Sequence, residues 1–227
     1  MPTVLITGAN RGLGLEFARQ YATDGWTVYA TARKPEEAAE LAACGPDLSI
    51  HALDLKDSGS IRRLAADLAG KPLDLVIANA GVIGSREMLA TEVDEALFHE
   101  TFQVNTIAPL ELAGALLPNL RLGQLKKLVC ISSRLGSIGY NATGGQYPYR
   151  ASKAALNMIW KCLAVDYAKE GIIAAAISPG WVRTDMGGDG APLDPETSVT
   201  NMRRVIDRLT PAENGKFFEH MGDELPW

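Results

Sequence analysis

The chain has 227 residues, 47% of them hydrophobic and 22% charged, which is enough for one α/β domain with a substantial core and short for two. A formal net charge of −5, with acidic and basic residues spread along the chain, leaves no basic arm for nucleic acid. Cys44, Cys130 and Cys162 share no metal or redox spacing, which argues against a disulfide or zinc framework. The apolar runs are too short to span a membrane and the start "MPTVLITG" has no leader-peptide pattern, so a cytoplasmic protein with no membrane partner is expected.

Apolar runs of strand length recur along the chain, each followed by a helix-like segment. The first, "TVLIT", passes directly into "TGANRGLG", where Gly8 allows a tight exit from the strand while Gly12 and Gly14 sit where the turn meets a helix beginning near Leu13. The spacing is not G-x-G-x-x-G, yet free backbone N–H groups at such a helix start suit a pyrophosphate. The second run, "TVYATA", is followed by Arg33 and Lys34. Next come "LSIHAL", leading into "LDLKD", and "LDLVIANA", which ends on Asn79 and Ala80 before Gly81. A helix-like segment then carries "QVNTIAPLEL", and the fifth strand, "KKLVCISS", ends at Ser133. In the helix that follows, running to about Lys169, Tyr149 and Lys153 stand at i and i+4 and project from one face. An ammonium beside a phenol favours the phenolate, bringing a pKa near 10 toward working pH, as proton transfer to a carbonyl oxygen requires. Ser133, on the same rim, is placed to hold a substrate oxygen beside Tyr149, and on proximity alone Ser132 and Ser137 compete for that role.

The sixth run is "GIIAAAIS", and "KFFEHM" makes a short seventh strand. Between them "MGGDGAPLDP" reads as a mobile loop. The segment from Met186 to about Thr200 (186–200) is expected to be a lid ordered by ligand, with Leu193 and Val199 covering a bound substrate. Continuous rather than alternating apolarity means strands covered on both faces, hence one doubly wound α/β domain whose ligands bind outside the carboxyl ends of a parallel sheet. His51, His99 and His220 form no ligand cluster and no H-E-x-x-H or nucleophile elbow is present, so neither a metal site nor a hydrolase is expected.

Five separated motifs, "TGANRGLG", "LDLKD", "NAG", "YRASK" and "SPGWVRT", resemble in order those of the short-chain dehydrogenase/reductase family, whose glycine pattern is T-G-x-x-x-G-x-G. "SSRLGSIG", "YPYRASKAALN" and the ending "GKFFEHMGDELPW" resemble its C-factor-like and carbonyl-reductase-like branch. The resemblance covers nearly the whole chain. It implies a Rossmann-type sheet of about seven strands over residues 1–227 and an NADPH-dependent reductase that exchanges hydride with a small carbonyl or secondary-alcohol substrate. In that reading Tyr149 is the general acid/base, Ser133 orients the oxygen, and Lys153 holds the ribose and keeps Tyr149 acidic. Asn105 resembles the helix-kinking asparagine whose freed backbone carbonyl holds a relay water. Relative to the family pattern, "SRLGSIGYNATGGQYPY" carries a short insertion before the tyrosine.

The cofactor contacts implied by the same resemblance are Gly8, Asn10, Arg11, Gly12, Leu13 and Gly14 at the phosphates, and Asp54 and Leu55 at the adenine. Asn79, Ala80 and Gly81 lie under the ribose, and Pro179, Gly180, Val182 and Thr184 lie near the carboxamide and phosphates. Members that prefer NAD place an acidic residue at the end of the second strand. Here Arg33 and Lys34 stand at that point and Arg11 adds another cation, so NADP(H) rather than NAD(H) is expected. The competing reading is a C-factor-like signalling or regulatory protein that binds the dinucleotide while turnover is secondary. Family members often pair through their fourth and fifth helices into a homodimer or homotetramer, whereas insertions before the tyrosine accompany monomers in some carbonyl reductases.

Overall fold

A computed structural model describes all residues, 1–227. Its strands are β1 (Thr3–Ile6), β2 (Thr27–Ala32), β3 (Leu48–Ala52), β4 (Leu75–Ala78), β5 (Lys127–Ile131), β6 (Ile173–Ser178) and β7 (Phe217–Glu219). Each lies inside the apolar run that predicted it. They form a single sheet in the order β3-β2-β1-β4-β5-β6-β7, and every neighbouring pair is parallel. The order reverses between β1 and β4, so a crevice opens at that point beyond the carboxyl ends of the strands.

The helices are α1 (Gly12–Thr23), the short α2 (Ala39–Ala42), α3 (Ser58–Asp67), α4 (Glu95–Phe102), α5 (Ala108–Leu122), α6 (Tyr147–Asp166) and α7 (Pro195–Arg208). Because successive strand residues point to opposite faces, one apolar run feeds two cores. Val4, Ile6, Leu75, Ile77, Val129 and Ile131 pack with Phe17 and Tyr21 of α1 and Met202 and Ile206 of α7. Leu5, Val76, Leu128 and Cys130 pack instead with Leu64 of α3, Leu112 of α5 and Trp160 of α6. Both sheet faces are therefore covered, as the continuous apolarity required.

Two features differ from the expectation. Val199 is already fully buried in the core beneath α7 and is not a surface waiting for a ligand. The expected lid shortens accordingly. Residues from Pro195 onward belong to α7, which Asp194 caps by accepting from the Thr197 N–H at 2.7 Å, so only Met186–Asp194 is loop. The second feature is a π-helical segment, Gln103–Ile107, between α4 and α5. Such segments displace carbonyls from the ordinary i→i−4 ladder, and this one contains Asn105.

Candidate active site

The glycine turn sets the near wall of the crevice. Gly8 has φ +63°, and a Cβ on it would meet the Ala80 Cβ at 2.9 Å. A Cβ on Gly14 would lie 2.2 Å from the Gly8 carbonyl oxygen and 2.7 Å from Asn79 Nδ2, so this glycine is needed to seat α1 against the turn. Asn79 Nδ2 donates to the Thr7 carbonyl at 2.9 Å, while the Thr7 hydroxyl accepts the N–H groups of Asn79 and Ala80, each at 3.0 Å. The "NAG" stretch is thereby tied to the end of β1.

α1 begins without a cap. Its N-cap residue, Arg11, makes no side-chain capping bond and its first turn holds no acidic residue, whereas α3, α4 and α7 are each capped by an aspartate. The first-turn N–H groups of a helix have no intrahelical partner, so this uncapped start faces the crevice as an anion site. Above it is a cavity of about 550 Å³ lined by Gly8, Asn10, Arg11, Gly12, Leu13, Arg33, Asp54, Leu55, Asn79, Ala80, Gly81, Tyr149, Lys153, Pro179 and Thr184. Of the three cations singled out in the sequence, Arg11 and Arg33 line this cavity and Lys34 does not. Arg11 pairs with Asp185 at 2.7 Å and Lys34 with Glu37 at 2.6 Å, whereas Arg33 has no carboxylate partner. Asp54 also builds the turn after β3, accepting from the Lys56 N–H at 2.9 Å.

A second cavity of about 750 Å³ adjoins the first and shares Tyr149 with it. Gly180 and Val182, expected at the cofactor, line this cavity and not the first. Ser133 lines it too, and its hydroxyl faces the Tyr149 phenol. The Ser133 hydroxyl accepts from the Leu135 N–H at 3.1 Å, which leaves its own hydrogen free, whereas its two competitors donate theirs within the fold. The Ser132 hydroxyl is held by Asn157 Oδ1 at 2.6 Å and that of Ser137 by the Pro226 carbonyl at 2.6 Å, so both are committed to structure.

Tyr149 and Lys153 both lie on α6, which is anchored to β5 by the Trp160 indole N–H donating to the Leu128 carbonyl at 3.2 Å. Both side chains are buried. The Lys153 ammonium donates to the Ile131 carbonyl at 2.8 Å and stands 5.8 Å from the centre of the Tyr149 ring. Burial pulls the Lys153 pKa from its usual 10.5 down to about 8. For Tyr149 the balance runs opposite to the sequence expectation. Burial pushes the phenol above its ordinary range, and the Ser133 hydroxyl and the Arg86 guanidinium pull it back only in part. The phenol is therefore held in its protonated form. Asn105, fully buried in the π segment, lines neither cavity. Its Oδ1 accepts from the Val82 N–H at 2.8 Å, and its Nδ2 donates to the Val82 carbonyl at 2.8 Å and the Ser152 hydroxyl at 3.0 Å. It thus clamps the segment after β4 to α6 beside Lys153.

A family model described as short chain dehydrogenase matches residues 2–192, most of the chain. The chain belongs to the short chain dehydrogenase family. Among curated short chain dehydrogenase relatives, C-signal of Myxococcus xanthus is 44% identical over 167 residues, covering 74% of this chain and 100% of that protein. The carbonyl reductase Sniffer of D. melanogaster superimposes with a TM-score of 0.93 at 35% identity, covering 100% of both chains. An NADPH-bound carbonyl reductase from chicken fatty liver gives 0.91 at 36% identity, covering 100% of this chain and 99% of the other. As a short chain dehydrogenase the chain is an oxidoreductase, and no helix in it is long and apolar enough to cross a membrane.

Sequence reasoning missed part of the second cavity. Arg86, Gln146, Glu219 and His220 line it. Arg86 and Gln146 sit in loops with no periodicity to mark them, but Glu219 and His220 close an otherwise apolar strand at the rim where ligands bind. That break in apolarity was the available signal.

Proposed function

We propose that the chain is an NADPH-dependent reductase that interconverts carbonyl compounds and secondary alcohols, with Tyr149 as proton donor. The observation that carries this reading is the buried Tyr149 phenol in the wall common to both cavities, facing the Ser133 hydroxyl and with the Lys153 ammonium over its ring. The residues of the first cavity fit the dinucleotide. The uncapped start of α1 and the Gly8–Gly14 turn suit the pyrophosphate, Asp54 and Leu55 the adenine, and Asn79 to Gly81 and Lys153 the ribose. Pro179 and Thr184 stand where the carboxamide end would lie. Arg33, free of a carboxylate, suits a 2′-phosphate and favours NADP(H) over NAD(H). A solved neighbour that carries NADPH supports the same choice.

When bound, the dinucleotide supplies the hydride. On the protein's side, Ser133 holds the carbonyl oxygen and Tyr149, kept protonated by burial, gives its proton to that oxygen. Lys153, with its lowered pKa, is able to return a proton toward Tyr149, and the π segment around Asn105 fixes α6 so that the two residues keep their spacing.

NADPH consumption followed against a panel of aldehydes and ketones tests the reading. Tyr149→Phe is expected to lower turnover by about a hundredfold or more while NADPH affinity holds, because only the hydroxyl is removed from the wall common to both cavities. Substantial residual turnover in that variant would overturn the role of Tyr149. A second reading, a signalling or regulatory protein that binds the dinucleotide with turnover secondary, is favoured by the 44% identity to C-signal. NADPH binding by the wild type with no consumption across the panel would select it.

A further inference from the structure

We propose that Glu219 and His220 form a fixed hydrogen-bond acceptor in the substrate cavity, and that the substrate is a carbonyl compound bearing a hydroxyl group away from the reacting carbon. The inference rests on the reductase reading above. β7 pairs with β6 so that Glu219 lies opposite Ser178, which brings the end of β7 to the carboxyl rim where the second cavity opens. Glu219 is 5% exposed, and both of its oxygens are occupied. One takes Arg134 Nε at 2.9 Å and Nη2 at 2.7 Å, and the other takes the Ser178 hydroxyl at 3.1 Å and His220 Nδ1 at 3.2 Å.

As the carboxylate partner of Arg134, Glu219 presents oxygens that only accept hydrogen bonds. The His220 nitrogen that faces it must therefore carry the hydrogen. In the neutral ring this leaves Nε2 with a lone pair. Nε2 has no hydrogen-bond partner in the chain and is not fully buried, and His220 lines the second cavity. The ring is also held in place from the other side. Gly180 has φ +80°, and a Cβ there would come within 3.1 Å of His220 Cε1 and 3.2 Å of Nδ1, so the imidazole packs on bare backbone.

The rest of the cavity decides what this acceptor meets. Ser133 and Tyr149 are taken up with the carbonyl oxygen, and Ile83, Leu135, Trp181 and Leu193 present apolar surface. The cations nearby are already engaged, Arg134 by Glu219 and Arg86 by the Met186 carbonyl. A lone-pair acceptor in such a wall selects a neutral donor, and a hydroxyl is the group that supplies one on a carbonyl substrate. A site built to bond a hydroxyl discriminates against the analogue lacking it more strongly than an apolar pocket discriminates by size.

The test compares methyl ketones of increasing length that end in a hydroxyl with their methyl-terminated analogues, read as the ratio of kcat/KM within each pair. The wild type is expected to favour the hydroxylated member by roughly tenfold at the best-fitting length, the scale of one hydrogen bond. Two variants separate the ring nitrogens. His220→Asn keeps a donor for Glu219 but loses the acceptor, and should bring the ratio close to one; His220→Gln carries an oxygen toward the place of Nε2 and should restore much of it. Fluorescence titration of the NADPH-bound protein with the corresponding diol and mono-alcohol, which have no hydride acceptor, gives the same comparison as dissociation constants. If the wild type reduces no ketone at all, the reductase reading falls and this inference with it. If it reduces both members of every pair alike, or prefers a carboxylated ketone to the hydroxylated one, the inference alone is overturned.

Discussion

Lys153 shows how a single residue trades stability for chemistry. Its ammonium is buried, and its pKa falls from 10.5 to about 8, which corresponds to about 3 kcal/mol of burial cost at neutral pH. The bond from this charged donor to the Ile131 carbonyl returns about 1.5 to 3 kcal/mol. Lys153→Met is therefore expected to stabilise the protein at pH 7 by at most about 1.5 kcal/mol while abolishing turnover. The pH dependence has a definite sign. Between pH 8 and 10.5 the unfolded chain holds this proton more tightly than the folded one, so the wild type gains stability as pH rises through that window and the advantage of the variant disappears. Urea unfolding of both proteins at pH 7 and near pH 10 checks it, and an advantage that persists at the higher pH would show that the charge is not its source. Arg33 gives the second prediction at this scale. Unlike Arg11 and Lys34 it has no carboxylate partner, so Arg33→Asp is expected to narrow the proposed preference for NADPH over NADH by about tenfold or more, as a charge-assisted contact becomes a repulsion. An unchanged ratio of the two dissociation constants would show that Arg33 only faces solvent.

At the scale of elements, the loop Met186–Asp194 forms the part of the rim between the two cavities and α7. Gly187, Gly188, Asp189, Gly190 and Ala191 are costly to order and offer little apolar surface. Its start is tied by Arg11 to Asp185, by Arg86 to the Met186 carbonyl and by the Trp181 indole to the Gly187 carbonyl at 2.8 Å, and its second half by the Arg183 N–H to the Leu193 carbonyl at 2.8 Å and the Arg183 guanidinium to the Pro192 carbonyl at 3.0 Å. Hydrogen exchange with and without NADPH is expected to show added protection across Met186–Asp194 and none around Val199, whose burial is already complete. Equal protection of the loop in both states would refute a lid. The strands and the Tyr149–Lys153 pair were legible in the sequence because burial on both faces and the helical repeat each leave a periodic trace. The extent of the loop was not, since nothing in "PETSVT" says that Val199 belongs to the core and not to a cover. The state of the Tyr149 phenol was also hidden, because i, i+4 spacing places two side chains on one face but does not measure how much water surrounds them. The π segment falls at Asn105, where the family resemblance placed a helix kink, but periodicity alone does not mark it, because it follows from what Asn105 bonds across the fold, Val82 and Ser152.

For the whole molecule, the two cavities are not independent, because Leu13, Ser132, Tyr149, Pro179, Thr184 and Met186 line both. Three of these stand near the junction of the glycine turn with the loop after β6, where a Cβ on Gly12 would lie 3.4 Å from Thr184 Cγ2. A dinucleotide in the first cavity would order that junction, and the substrate would then bind to a wall already in place. Ordering paid for by one ligand need not be paid again by the second, which is positive coupling. The dissociation constant of an unreactive substrate analogue is therefore expected to fall severalfold when NADPH is saturating. Linkage requires the analogue to tighten NADPH by the same factor, so two titrations in opposite order give an internal check. Equal dissociation constants for the analogue with and without NADPH would show that the shared wall is rigid from the outset and that the loop carries no coupling.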